Sequence, residues 1–87
     1  MAIAFPNASR SYDANRGVIR FWGHDSAMEA AFFITNQALQ RIQPDAAGDE
    51  EGMLAAFDRH RAQICQAAAK MYSRGRKGSY ELDARDF

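Results

Sequence analysis

The sequence predicts a small α+β domain: an antiparallel sheet of three to four strands packed against one long and one short helix. Three observations carry that prediction. Val18-Ile19-Arg20-Phe21-Trp22 is a β-branched and aromatic run with strand composition. Met28, Ala30, Phe32 and Ile34 alternate with Glu29, Ala31, Phe33 and Thr35, the two-residue period of a strand. From Asp49 to Arg74, Leu54, Phe57, Arg61, Ile64, Ala68 and Met71 fall in steps of three and four, one stripe of a helix.

Taken in chain order, Ile3-Ala4-Phe5 reads as a short edge strand stopped by Pro6. Ser11-Tyr12-Asp13 begins a hairpin, and Asp13, Asn15 and Gly17 supply residues that tolerate turn conformations. In the strand Val18–Trp22, Ile19 and Phe21 point one way and Val18, Arg20 and Trp22 the other. Gly23-His24-Asp25-Ser26 reads as the next turn. The segment Ala27 to Thr35 carries two signals. Ser26-Ala27-Met28-Glu29 matches a helix capping box, whereas the alternation favours a strand; its short length and its Phe-Phe-Ile-Thr ending decide for the strand, paired antiparallel with Val18–Trp22. Thr35 then caps a short helix, Asn36 to Gln43, with Leu39 and Ile42 inward and Pro44 ending it.

Asp45 to Gly48 is a linker, and the long helix follows from about Asp49. Met53, Cys65 and Tyr72 widen its stripe. At about 1.5 Å per residue the helix would run about 39 Å, longer than the sheet, so one end is expected to project or fray. Gly75 is a natural helix-ending residue. Ser79-Tyr80-Glu81-Leu82 is the last strand, and Asp83 to Phe87 a tail whose Phe87 docks.

The 87 residues read as a single domain, 1–87, with a thin core. Apolar residues make up 47% and charged residues 25%, which excludes wholesale disorder. Eleven Lys and Arg against eleven Asp and Glu give zero net charge, unlike a nucleic-acid coat protein or a membrane-surface binder. Neutrality also leaves little repulsion between copies, which suits self-association. One cysteine, Cys65, fits a reducing compartment. The start Met1-Ala2-Ile3-Ala4-Phe5-Pro6 lacks the basic and apolar regions of a signal peptide, and no run approaches the ~20 apolar residues of a membrane span. The expected location is the cytoplasm, with no membrane partner.

No constellation for chemistry emerges. His60 and Cys65 lie five apart, about 140° around a helix, so they do not form a thiol–imidazole pair. Two histidines and one cysteine at unrelated spacing match no zinc pattern. Asp49, Glu50 and Glu51 complement a helix start. Phosphate loops, nucleophile elbows and dinucleotide fingerprints are absent from the sequence. No catalytic residue, metal or cofactor is therefore expected, and the chain reads as a non-enzyme. An enzyme using His24 or His60 would need that ring in a concave pocket beside a second polar group.

Two groups of residues remain. Arg74, Arg76 and Lys77 form a basic turn, Arg74-Gly75-Arg76-Lys77-Gly78, flanked by Tyr72 and Tyr80. Helix electrostatics explains bases at a helix end, because the dipole there favours cations. The competing reading is an anion or nucleic-acid contact, with Arg76 clamping phosphate and the tyrosines stacking on bases. The second group is Trp22 and Phe33. If Phe21 and Phe32 fill the core, Trp22 and Phe33 lie on the other face of the hairpin, as a protein-binding or dimerisation surface unless another segment covers them.

Several stretches together resemble a known family. They are Ile3-Ala4-Phe5-Pro6, the hairpin from Ser11-Tyr12-Asp13 to Val18-Ile19-Arg20-Phe21-Trp22-Gly23, Ala55-Ala56-Phe57-Asp58, and Ala69-Lys70-Met71-Tyr72 through Gly78-Ser79-Tyr80-Glu81-Leu82. The pattern looks like the small bacterial proteins of "domain of unknown function 1488", over nearly the whole chain. The resemblance implies a compact α+β protein of bacterial, cytoplasmic type and implies no activity. The leading expectation is a non-enzymatic interaction or regulatory module, as a homodimer or with an unknown protein partner. The alternative is weak binding of nucleic acid or a phosphate ligand through residues 74–78.

Overall fold

Two hairpin turns organise the sheet. In the first, Asp13 Oδ1 accepts from the backbone N–H of Asn15 and Arg16 at 3.0 and 3.3 Å, and Gly17 takes a left-handed φ of 64°. That loop joins β1 (Arg10–Asp13) to β2 (Val18–Asp25). The second turn, at Ser26 with φ 56°, joins β2 to β3 (Met28–Thr35). The computed structural model describes residues 3–6, 9–26, 28–74 and 79–87. Three helices follow, α1 (Asn36–Ile42), α2 (Glu50–Arg59) and α3 (Arg61–Ser73), then β4 (Ser79–Leu82) and a single 3-10 turn, Ala84–Asp86.

The fold is α+β, and the β2–β3 pairing is antiparallel as the alternation predicts, with Ile19 opposite Ile34 and Phe21 opposite Phe32. β2 runs three residues further than its sequence suggests, because Gly23, His24 and Asp25 still pair with Ala30, Glu29 and Met28. The N-terminal segment extends the outer side of β2 through one bridge, Ala4 to His24, with N–H···O bonds of 2.9 and 2.8 Å.

Two expectations need correction. The sheet is mixed: its order is β1-β2-β3-β4, and β4 lies parallel to β3, with Phe32 beside Tyr80 and Ile34 beside Leu82. The chain leaves β3 at one end, crosses one face as three helices and re-enters at the other end, the connection a parallel neighbour requires. The long helix is two helices, broken at His60, whose backbone sits at φ −109°, ψ 20°. Neither proline nor glycine causes the break. Three polar positions around it are instead held by tertiary partners: Asp58 by Arg10, His60 Nε2 by Gln43 Oε1 at 3.1 Å, and Arg61, whose Nη2 donates to the Phe5 carbonyl at 3.1 Å. A straight helix of about 39 Å would also overrun a molecule whose longest extent is 35 Å. The redirected chain keeps Met53, Ala56 and Phe57 of α2 and Ile64, Ala68 and Tyr72 of α3 on the same sheet face.

Capping follows the sequence. The Thr35 hydroxyl accepts from Ala38 N–H at 3.1 Å, and Asp49 Oδ1 accepts from Gly52 N–H at 2.8 Å. Arg10 fixes β1 to α2 by two bonds to Asp58, 2.9 and 2.8 Å. The core lies between the inner sheet face and the helices. Phe21, Phe32 and Phe57 are its largest members; Phe21 and Phe32 stack with centroids 5.5 Å apart, and Phe57 tilts against Phe21 at 5.1 Å. Phe87 packs partly buried against this core, as expected of the tail.

Candidate functional site: the outer sheet face

All three helices cover the inner face of the sheet, so the strand period leaves the opposite face as a second surface. Register places Ser11, Arg20, Phe33 and Glu81 in one row across the four strands. The next row is Trp22, Ala31 and Ser79, and the last is His24 with Glu29. Trp22 and Phe33, the pair the sequence reading puts on this face, do lie on it, on adjacent strands and one row apart. Both are half-buried rather than open.

Among the described residues, arginines shield them. The Arg16 guanidinium lies 4.6 Å from the centroid of Phe33, and that of Arg20 lies 5.2 Å from Trp22 and 5.9 Å from Phe33. A cation over an aromatic face gains attraction from the ring quadrupole and covers the ring with its own flat surface. Arg16 leaves the β1–β2 turn that Asp13 stabilises, so the turn chemistry aims it over Phe33. Between that turn and the row lies a shallow recess of about 380 Å3 lined by Tyr12, Arg16, Arg20 and Phe33, among others. Among the described residues Arg20 has no carboxylate partner, and Glu81 has one distant contact, Arg16 Nη2 at 4.0 Å. His24 Nε2 and Glu29 approach to 3.9 Å.

The basic turn is a different matter. Arg76 and Lys77 lie outside the described residues. Tyr72 and Tyr80 are core residues, 9% and 2% exposed, with rings 5.6 Å apart and Tyr80 stacked on Phe32 at 4.9 Å. Neither presents a free face on which a base could stack. Tyr72 instead donates its hydroxyl to the buried Asp25 at 2.7 Å. Arg74 lines a recess of about 360 Å3 together with Arg85, but Glu81, Asp83 and Asp86 line it too. Asp83 and Asp86 are engaged in capping the 3-10 turn.

The two histidines are far from each other in role. His24 belongs to the outer face. His60 sits in a recess of about 280 Å3 at the α2–α3 break, beside Gln43, Asp45 and Arg59. That recess meets the requirement of a concavity with polar neighbours, yet its lining includes no hydroxyl or thiol nucleophile. Cys65 is half-buried with Arg61 Nη1 3.5 Å from its sulfur. Burial pushes the thiol pKa up, and the nearby guanidinium only partly opposes this, so the sulfur is held in its unreactive protonated form. Among the described residues no group of three His, Cys, Asp or Glu is placed to hold a metal ion, and no helix is long and apolar enough to cross a membrane.

The two-layer frame and its open face can be set beside known proteins. Residues 3–82 match the sequence model of the family described as "Protein of unknown function (DUF1488)". The chain belongs to the DUF1488 family. The fold is similar to that in the crystal structure of a DUF1488 protein of unknown function from Shewanella loihica PV-4, with a TM-score of 0.81 at 19% identity, covering 93% of this chain and 91% of that one. No curated protein matches the chain. The resemblance read from the sequence is thus correct, and the family description assigns no activity to this DUF1488 chain.

Proposed function

We propose that this chain is a non-enzymatic protein-interaction module that docks through the outer face of its sheet. The observation that supports this most is the pair Trp22 and Phe33, held half-buried on an uncovered face under two arginines. Aromatics and arginine are enriched at protein interfaces, the rings because they bring a large contact area with few rotamers to lose, arginine because its planar fork both stacks on rings and bonds carboxylates. The face also holds carboxylates, Glu81 in the row of Arg20 and Glu29 beside His24, which suits a protein partner better than a polyanion.

The alternative, weak binding of nucleic acid or a phosphate ligand by Arg74, Arg76 and Lys77, draws less support: the flanking tyrosines are in the core, and three acids line the Arg74 recess. An intracellular bacterial setting is in keeping with the module reading.

Light scattering together with affinity capture tests the proposal. The wild-type chain should self-associate or retain a specific protein, and Trp22→Ser combined with Phe33→Ser should abolish this with the circular dichroism unchanged. A strict monomer that captures nothing, or an association indifferent to both substitutions, refutes it.

A further inference from the structure

Resting on the docking reading above, we infer that the outer sheet face takes a second copy of this chain, packed face to face about a two-fold axis running along β3. The face is close to self-complementary in charge. It carries Arg20 on β2 and Glu81 on β4, with Phe33 of β3 between them in one row and the Arg16 guanidinium reaching from the β1–β2 turn over Phe33. A two-fold axis along β3 exchanges the two sides. It sets Arg20 over Glu81 of the second copy and, by symmetry, Glu81 over Arg20 of that copy. These are the groups left least satisfied within one chain. Among the described residues Arg20 has only aromatic contacts, and Glu81 has only Arg16 at 4.0 Å.

Side-chain size follows the same symmetry. In the next row Trp22, Ala31 and Ser79 occupy β2, β3 and β4. The axis places the large Trp22 ring over the small Ser79 of the second copy, Ala31 over Ala31, and Phe33 over Phe33. Trp22 against Ser79, repeated on both sides of the axis, is the bulky-against-small fit by which two packed sheets interdigitate at a spacing of about 10 Å. Aligned sheets cross at about −30°, so a pivot at Phe33 separates the two copies of Glu29 at the far end of β3.

The area sets the strength. Strands about 4.8 Å apart and about 3.3 Å per residue give β2, β3 and β4, the strands this axis opposes, a face of roughly 320 Å2, or about 640 Å2 for both copies. That is below the size of stable interfaces, so the dimer is weak and concentration-dependent. Zero net charge leaves no overall repulsion to overcome.

Sedimentation velocity from about 10 µM to about 1 mM, in the range where weak dimers form, tests this with charge reversals. Arg20→Glu and Glu81→Arg should each weaken dimerisation about tenfold or more, since each places like charges opposite at two symmetric positions. The double variant Arg20→Glu/Glu81→Arg should restore it. Circular dichroism on each variant establishes that the fold is kept. A wild type that stays monomeric throughout overturns the second copy as occupant, leaving the docking face to its own capture test. A dimer that both single reversals leave intact, or that the double reversal fails to restore, overturns it as well. If that dimer is also indifferent to Trp22→Ser, the docking face itself fails.

Discussion

Replacing Gly23 by alanine probes the contact that closes the N-terminal segment over the sheet. A Cβ at this position would lie 2.7 Å from Phe5 Cε2 and 2.8 and 3.0 Å from Ile3 Cδ1 and Cγ1. One of these side chains must shift for the new methyl to fit. Ile3 is 8% exposed, and the Phe5 ring is wedged against Phe21 and Phe32 at 5.9 and 5.4 Å. Overpacking of this kind costs about 1–3 kcal/mol, and alanine recovers about 0.5–1 kcal/mol of the entropy that glycine loses in a strand. The net loss should be about 1–2 kcal/mol, which lowers the Tm of a chain this size by roughly 5–15 °C. Urea denaturation followed by circular dichroism reads it directly. The mechanism makes a second demand, because the clash belongs to particular atoms. In an Ile3→Ala or a Phe5→Ala background, Gly23→Ala should cost about 0.5–1 kcal/mol less than in the wild type. A neutral Gly23→Ala, or an equal cost in all three backgrounds, would refute the reasoning.

Two further expectations concern buried polar groups. Tyr72→Phe removes a 2.7 Å bond to Asp25, a carboxylate 5% exposed, and should cost about 1.5–3 kcal/mol in urea denaturation; a loss under about 0.5 kcal/mol would mean that the other contacts of Asp25 hold it alone. Burial raises the Cys65 thiol pKa in the fold above its unfolded value, so the stability tied to the protonated thiol is complete below the unfolded pKa and is lost as pH rises toward the folded one. Cys65→Ser should therefore flatten the alkaline fall in stability, and Arg61→Ala should slow alkylation of the native thiol still further; an alkylation rate at pH 8 equal to that of the unfolded chain contradicts this.

Much of the fold is legible because local chemistry and tertiary structure agree. The alternation in Met28–Thr35 outvotes the capping-box match at Ser26–Glu29, since a strand buries Ala30, Phe32 and Ile34 together, whereas no helix face would. Thr35 and Asp49 cap the helices they precede. The break at His60 is not legible: Asp58-Arg59-His60-Arg61 is good helical sequence, and only partners far along the chain, Arg10, Gln43 and Phe5, redirect it. The direction of β4 is equally silent, because Ser79–Leu82 alternates identically whether its neighbour runs parallel or antiparallel. The burial of Tyr80 did have a signal, its two-residue spacing from Leu82, which puts both on one face. Reading it as a flank of the basic turn weighed nearness in sequence above strand period.

The same period explains why this sheet is left with a second face. One sheet needs one covering layer to bury an apolar face, and α1, α2 and α3 supply it on a single side. Among the described residues no further helix or strand lies on the other side. Trp22 and Phe33 on the bare side would be a liability if their rings were open to water. Arg16 and Arg20 lie over those rings and lower that cost within one chain. A guanidinium held on an aromatic face still has all its N–H donors at the edge, free to meet a carboxylate. A partner that brings carboxylates can therefore dock onto the arginines without stripping them from the rings. This makes Arg20, rather than either aromatic alone, the residue whose charge reversal separates a docking face from a merely tolerated one.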